Sequence, residues 1–327
     1  MGDPLDEFRL IADLFAPLAR GFPGALNLTD DAALLPGEPG VDTVVTVDAM
    51  VAGVHFLPDD PADLIARKLV RVNLSDLAAK GAVPFAVLLA AAFPRGVAPA
   101  WLTAFADGLG CDLAQYGVAL IGGDTVATPG PLTLSLTAFG RVPAGQAILR
   151  SGARVGDLIW VSGTVGDGAL GLDAARGLLG FLAPDQAAFL ADRYRLPRPR
   201  TELGPKLMGL ARSGMDVSDG LVQDLGHLCR ASGVGARVAA AEIPLSPAAR
   251  AVVAADESRL ASVLTGGDDY ELLFTAAPEA TQALHRCSQA TGVPLTAIGR
   301  IVEGGGVSVF DADGRVMALG QGGWRHF

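Results

Sequence analysis

Apolar positions along the chain recur at two spacings, every second residue and every third to fourth, and so predict strands interleaved with helices. Residues 42–48 (DTVVTVD) are short and β-branched, which predicts a buried strand ending on an aspartate. Residues 61–81 predict a helix, with Leu64, Ile65, Lys68, Leu69, Val72 and Leu77 on one stripe and Ala78 and Ala79 beside it. A strand is expected over 86–92 and an amphipathic helix over 100–116, stopped by Gly117. Residues 118–121 read as a strand running into Gly122-Gly123-Asp124, and 132–141 alternate like another.

The segment 142–153 (VPAGQAILRSGA) is loop-like and rich in small residues, and places a domain boundary that gives 1–147 and 148–327. Beyond it come a strand over 157–162, a glycine-rich turn and a helix, a break at 195–200 (RLPRPR), and a helix over 201–213. Residues 215–219 (MDVSD) lead into a helix over 221–232. Two more strand and helix units are expected around 263–276 and 278–291, with closing strands near 295–302 and 306–311. Mixed strand and helix order of this kind predicts α+β domains and argues against one doubly wound sheet.

The length of 327 residues also suits two domains, and 50% apolar against 18% charged residues excludes disorder as the main state. A net charge of −10 repels nucleic acid and anionic membranes, so neither is an expected partner. The longest apolar run, 85–93, is too short to span a bilayer, and the acidic opening is no secretory leader. Cys111, Cys229 and Cys287 form no CxxC and read as reduced, mostly buried thiols of a cytoplasmic protein. Four histidines without an HxxxH pair argue against zinc.

Carboxylates concentrate where apolar runs end or glycines begin: Asp30-Asp31, Asp48, Asp76, Asp124, Asp216, Asp219 and Asp268-Asp269. Each one alone suits a turn or a helix cap, and Asp76 after Ser75 and Asp219 after Ser218 could start helices. The ensemble suits Mg²⁺, which takes oxygen ligands and is held by one or two carboxylates plus substrate phosphates. Two glycine-rich stretches, Gly122–Thr125 and 163–171 (GTVGDGALG), follow strands, where backbone N–H groups can cradle anions. The second contains a formal GxGxxG without the later acidic strand end of a dinucleotide site, and neither a P-loop nor a protein-kinase motif set is present. Lys68, Arg71 and Lys80 are expected as solvated helix side chains, and Arg150 is the best-placed phosphate partner.

In order along the chain stand DDAALL (30–35), TVDAMVAGVHF (46–56), NLSDLAAKGA (73–82), GGDT (122–125), LRSGARVGD (149–157), SGTVGDGALGL (162–172), DVSDGL (216–221), GGDDYEL (266–272) and GWRHF (323–327). Together they resemble the thiamine-monophosphate kinase family of the aminoimidazole-ribonucleotide-synthetase-like superfamily. The resemblance implies two α+β domains, an N-terminal sheet domain that binds ATP and Mg²⁺ and pairs in a homodimer, and a C-terminal domain that completes the active site. It implies Asp31, Thr46, Val47, Asp48, Asp76, Asp124, Asp216 and Asp219 as metal ligands, with several Mg²⁺ ions. Gly123, Asp124, Arg150 and Ser218 would contact ATP, and His55, Asp268 and Trp324 the acceptor, thiamine monophosphate.

The implied reaction converts ATP and thiamine monophosphate to ADP and thiamine diphosphate by direct in-line transfer, with no protein nucleophile or base. Three departures stand out: Asn27-Leu28-Thr29 replaces Gly-Ile-Gly, Val47 replaces a frequent Thr and offers only its carbonyl, and Asp268 replaces Glu. Other readings are a different ATP-dependent enzyme of the superfamily, or a non-catalytic nucleotide or thiamine-phosphate sensor. The selenophosphate and carbamoyl-dehydration enzymes are disfavoured by the lack of a Cys-Lys stretch and of a cysteine tail.

Overall fold

A computed structural model describes residues 11–23, 25, 35, 37–319 and 323. Asp31 and Trp324, and the Asn27-Leu28-Thr29 departure, lie outside the described residues. The chain divides into two compact units: Met1–Leu77 with Val83–Gly145, and Ala78–Ala82 with Gln146–Phe327.

The first unit is built on a four-stranded sheet in the order β1-β4-β2-β3, with β1 Val41–Val51, β2 Val83–Pro94, β3 Ala119–Thr128 and β4 Thr133–Pro143. Neighbours are antiparallel except β2 and β3, which run parallel. A parallel pair needs a crossover, and helix α2 (Pro99–Tyr116) supplies it. Gly117 ends α2 in the left-handed conformation expected of a C-cap glycine, at φ 66°. All four strands run past their expected C-terminal limits, carried on by the ladder hydrogen bonds to their neighbours. β3 in particular runs on through Gly122, Gly123 and Asp124, so GGDT is strand and not a loop after one.

Helix α1 (Ala62–Ala79) is buried on every side from Lys68 to Ser75, not along one stripe. Lys68 and Arg71, expected in solvent, are accordingly 2% and 6% exposed. Each has a partner that makes burial tolerable. The Lys68 ammonium donates to the His55 carbonyl at 2.9 Å. Arg71 donates to both oxygens of Asp112 on α2, at 2.5 and 3.1 Å, and Arg67 adds a third bond at 2.8 Å. The helices cross closely, since a Cβ on Gly108 would meet the Asp63 carbonyl oxygen at 2.3 Å.

The second unit carries a six-stranded sheet in the order β10-β7-β9-β5-β8-β6, antiparallel throughout except β10 beside β7. The strands are β5 Leu158–Ser162, β6 Ala211–Asp216, β7 Gly235–Ala239, β8 Leu272–Ala276, β9 Leu295–Val302 and β10 Gly306–Phe310. Helices α3 Asp167–Ala175, α4 Pro184–Arg195, α5 Leu221–Ser232, α6 Pro247–Ala255, α7 Arg259–Thr265 and α8 Thr281–Thr291 complete it. β5 is buried on both faces: Ile159 and Val161 join a core with Leu170 and Leu225, while Trp160 joins another with Phe274 and Leu207. Continuous apolar runs such as LIWVS follow from that double burial. The helix expected over 201–213 does not form. Pro205 starts a short 3₁₀ turn (Gly204–Leu207), Gly209 takes φ 75°, and the following residues pair with β8 as β6.

Two separate, mostly antiparallel sheets with helices make this an α+β fold, as expected. All three cysteines are free, but only Cys229 is buried; Cys111 is exposed and Cys287 partly so. No helix among the described residues is long and apolar enough to cross a membrane.

Asp112 is fully buried against two arginines, so removing it leaves uncompensated buried charge. Asp112→Ala should lower the unfolding free energy by about 3–5 kcal/mol in urea denaturation. A loss under about 1 kcal/mol would show that the triad is no anchor.

Candidate active site

On the first unit, Thr46 and Asp48 alternate with Val45 and Val47 along β1, so their side chains leave the sheet on the helix side. There they meet α1. The Thr46 hydroxyl donates to the Asp76 carboxylate at 2.5 Å, and the Asp48 N–H donates to the Asn73 side-chain oxygen at 3.0 Å. Asn73 is itself fixed by donating to the Leu69 carbonyl one turn back, at 2.9 Å. Asn73 and Asp76 are three apart and share a helix face. Asp76 therefore stands within the helix rather than at its start, and sequence reasoning missed the strut that Asn73 provides. A buried Asn on an otherwise apolar stretch of α1 was the available signal.

His55 follows β1 in a turn. Its Nδ1 accepts the Val51 N–H at 3.0 Å, which leaves the proton of the neutral ring on Nε2. Lys68 holds the carbonyl of the same residue.

Val47, Gly123 and Asp124 are placed differently. The Val47 side chain is 59% exposed on the face opposite Thr46 and Asp48. Gly123 is required by packing, because a Cβ there would sit 2.0 Å from the Leu89 carbonyl oxygen. The register runs Asp48–Leu136–Leu89–Gly123 across the sheet, and Ala49–Ser135–Ala90–Asp124 in the next row. Asp48 and Asp124 thus lie on opposite edges, three strand spacings or about 14 Å apart, and on opposite faces. Asp124 is exposed, with no hydrogen-bond or ion-pair partner among the described residues. It shares its face with Val45, Val47 and Val126, each more than half exposed.

On the second unit three loops meet: 163–166 before α3, 217–220 before α5, and 266–271 before β8. Their backbones touch. A Cβ on Gly168 would lie 2.2 Å from the Asp268 carbonyl oxygen, and one on Gly267 2.2 Å from that of Ser218. The Asp268 and Tyr270 N–H groups donate to the Ser218 and Val217 carbonyls at 2.9 and 2.8 Å, and the Val217 N–H to that of Glu271 at 2.8 Å.

Two of the N–H groups at the start of α3 are already committed. Gly166 and Gly168 donate to the two oxygens of Asp269, at 2.7 and 2.9 Å. The glycine loop does cradle an acidic group, but an internal one whose burial opposes its ionisation. Burial pushes the Asp269 carboxyl up to about 8, against the opposing pull of the two N–H groups. Asp224 does the same for the neighbouring loop, accepting the Ser218 and Asp219 N–H groups at 3.1 and 3.0 Å. Burial raises its carboxyl to about 7. It sits on the apolar stripe of Leu221, Leu225 and Leu228, and that misplaced acid was the sequence signal for its role.

Asp216 is buried at the end of β6, and the Asp219 carboxylate accepts from Gln223 at 3.2 Å. The Arg150 side chain is exposed, near enough to His227 that its charge helps lower the imidazole pKa, after burial and Arg230. Behind the loops Glu271 is fully buried and accepts from Ser162 at 2.6 Å, Arg193 at 3.0 Å and Arg200 at 2.7 Å.

Residues 29–142 match the family described as AIR synthase related protein, N-terminal domain, and residues 154–312 its C-terminal domain. The chain is 46% identical to the thiamine-monophosphate kinase of Caulobacter vibrioides, over 99% of this chain and 91% of that protein. It is 43% identical to that of Escherichia coli, over 98% of each. Among solved structures, the thiamine-monophosphate kinase from Stenotrophomonas maltophilia superposes with a TM-score of 0.81 at 44% identity, covering 88% of this chain and 90% of that one. AaThiL complexed with AMPPCP and TMP superposes at 0.79 and 29% identity, covering 99% and 97%. The hydrogenase maturation protein HypE of E. coli, at 22% identity and 0.77, shares the fold.

Asp269 ionises near 3.8 when unfolded but holds its proton to about 8 when folded. Between those values the folded state binds more protons, so its contribution to stability declines as pH rises. Relative to Asp269→Asn, the wild-type unfolding free energy should fall between pH 4 and 8, measured by denaturant titration. Parallel pH curves for the two proteins would refute this.

Proposed function

The chain belongs to the thiamine-monophosphate kinase family, and from that premise we propose that it transfers the γ-phosphoryl group of ATP to thiamine monophosphate, in line and with Mg²⁺. The reading rests on full-length likeness and on one local observation, the oxygen-bearing side chains of Thr46, Asp48 and Asp76 on the face where β1 meets α1, with Thr46 donating to Asp76 and the Asp48 N–H to Asn73.

That donor set fits Mg²⁺, a hard cation that takes one or two carboxylates and leaves positions for water and phosphate. Among the described residues no three acidic, histidine or cysteine side chains converge, so a closed protein cage is not what this cluster offers. Asp48 and Asp76 would hold the ion, with Thr46 and Asn73 orienting them. When bound, the ion neutralises phosphate charge that a protein of net charge −10 otherwise repels. Asp31, Asp216 and Asp219, and the Thr46 and Val47 positions, are assigned to further ions, and Asp124 to metal and ATP.

Arg150 and Ser218 are assigned to ATP, the first as a guanidinium that pairs phosphate oxygens and the second as a hydroxyl donor. Gly123 is assigned to ATP through its backbone. His55, Asp268 and Trp324 are assigned to the acceptor: Nε2–H of His55 as a donor, Asp268 as a carboxylate facing the thiamine cation, and Trp324 as a stacking face. In the transfer an ionised oxygen of the acceptor phosphate bonds to the γ-phosphorus while the β–γ bridging P–O bond breaks. No proton has to move, so positioning and charge neutralisation are the tasks left to the protein.

We also assign a homodimer through the open face of the first sheet. Val45, Val47 and Val126 expose an apolar surface there that a second copy would cover, and Asp124 lies among them. Val45→Arg should convert a dimer to a monomer in light scattering at micromolar concentration; a wild-type monomer would contradict the assignment.

Incubation with ATP, Mg²⁺ and thiamine monophosphate should yield ADP and thiamine diphosphate. Unphosphorylated thiamine, whose hydroxyl needs a base, should react at least ~10²-fold more slowly. Equal rates on both acceptors would overturn the reaction, and binding without turnover would mark a sensor. Asp48→Asn should lose at least ~10²-fold in kcat with the fold intact, read by product formation and circular dichroism.

A further inference from the structure

We infer that Tyr270 is a positioning residue, whose hydroxyl aims the Asp268 carboxylate at a cationic or hydrogen-bond-donating group of the acceptor. The inference rests on the assignment of Asp268 to the acceptor under the proposed function.

Among the described residues only two that are not glycine have positive φ, Asp268 at 71° and Tyr270 at 52°. They stand two apart in one loop, and their side chains meet: the Tyr270 hydroxyl donates to an Asp268 carboxylate oxygen at 3.2 Å. Left-handed backbone is uncommon for a bulky side chain such as Tyr, and it persists only where the surroundings over-determine it. Glycine would relieve it, and this loop already uses glycine at 266 and 267. Those glycines serve close packing, since a Cβ on Gly266 would meet that of Ala169 at 2.3 Å.

The surroundings do fix this conformation. The Asp268 and Tyr270 N–H groups are tied to the Ser218 and Val217 carbonyls. Between them the buried Asp269 carboxyl group anchors the backbone by accepting the Gly166 and Gly168 N–H groups. With Asp269 turned inward, Asp268 and Tyr270 are half-buried and face one another. An aspartate has one methylene fewer than the glutamate that the family resemblance leads one to expect, and so reaches less far. The Tyr270 hydroxyl fixes the direction in which the shorter carboxylate points. An ionised carboxylate only accepts, so the group it meets must donate or carry positive charge.

The test is steady-state kinetics of the full chain with both substrates varied, for wild type, Tyr270→Phe, Asp268→Asn and the double variant. Tyr270→Phe deletes one oxygen and nothing else. It should raise KM for thiamine monophosphate about tenfold, the loss of one hydrogen bond to a charged group, and leave KM for ATP and the thermal midpoint unchanged. Asp268→Asn should raise the same KM, and adding Tyr270→Phe to it should change little more, less than about twofold. If Asp268→Asn raises that KM while Tyr270→Phe leaves it alone, the positioning role is wrong and the acceptor assignment stands. If neither variant moves it in an active enzyme, the acceptor assignment fails and the inference falls with it. Equal rises in both KM values for Tyr270→Phe would mark a merely structural role and overturn the inference.

Discussion

The Asp269 carboxyl group, buried and accepting two backbone N–H groups at the start of α3, sets the arrangement of the second unit's loops. Three irregular segments cross there so closely that glycines are needed at 168, 220 and 267 merely to let the backbones pass. Buried loops of this kind leave N–H groups with no ladder to join and no water to meet. Asp269 satisfies two of them and Asp224 two more. Each carboxyl resists ionisation because of its burial, and each is accepted because an orphaned N–H would be worse. Glu271, next along the chain, is held differently, by two arginines and a serine.

The first unit solves its placement problem with regular structure. A strand alternates its side chains, so Thr46 and Asp48 share one face without any loop chemistry, and helix α1 supplies Asn73 and Asp76 from the adjacent turn. From Lys68 to Ser75 that helix is buried all round, which is possible because Asp112 pairs with Arg71 and with the partly exposed Arg67, and Lys68 reaches a carbonyl. Oxygen donors on such a frame are pre-positioned, and pre-positioning is most of what phosphoryl transfer asks of a protein. Asp124, on the far edge and opposite face, belongs to a different surface of the same sheet.

Much of this was legible in the sequence, where local rules decide. Helix 221–232 was read to the residue, and Gly117 ends α2 as its position predicts. The aspartates at strand ends and beside glycines did mark the places where chemistry gathers. What could not be read depends on partners distant in sequence. The start of β6 looked helical because its pairing with β8, more than fifty residues on, overrides local preference. Lys68 and Arg71 looked solvated because Asp112 and the His55 carbonyl are invisible to a periodicity. The N–H groups of the glycine loop looked available because Asp269 lies a hundred residues away. Asp31 and Trp324, both named by the resemblance, fall outside the described residues.

Amide hydrogen exchange at Gly166, Gly168, Ser218 and Asp219 tests most directly whether internal carboxylates hold these loops. If Asp269 and Asp224 do so, the four amides should be protected to the level of the buried strand β5, far beyond an ordinary turn. Exchange at the rate of the exposed turn around Asp313 would contradict the account.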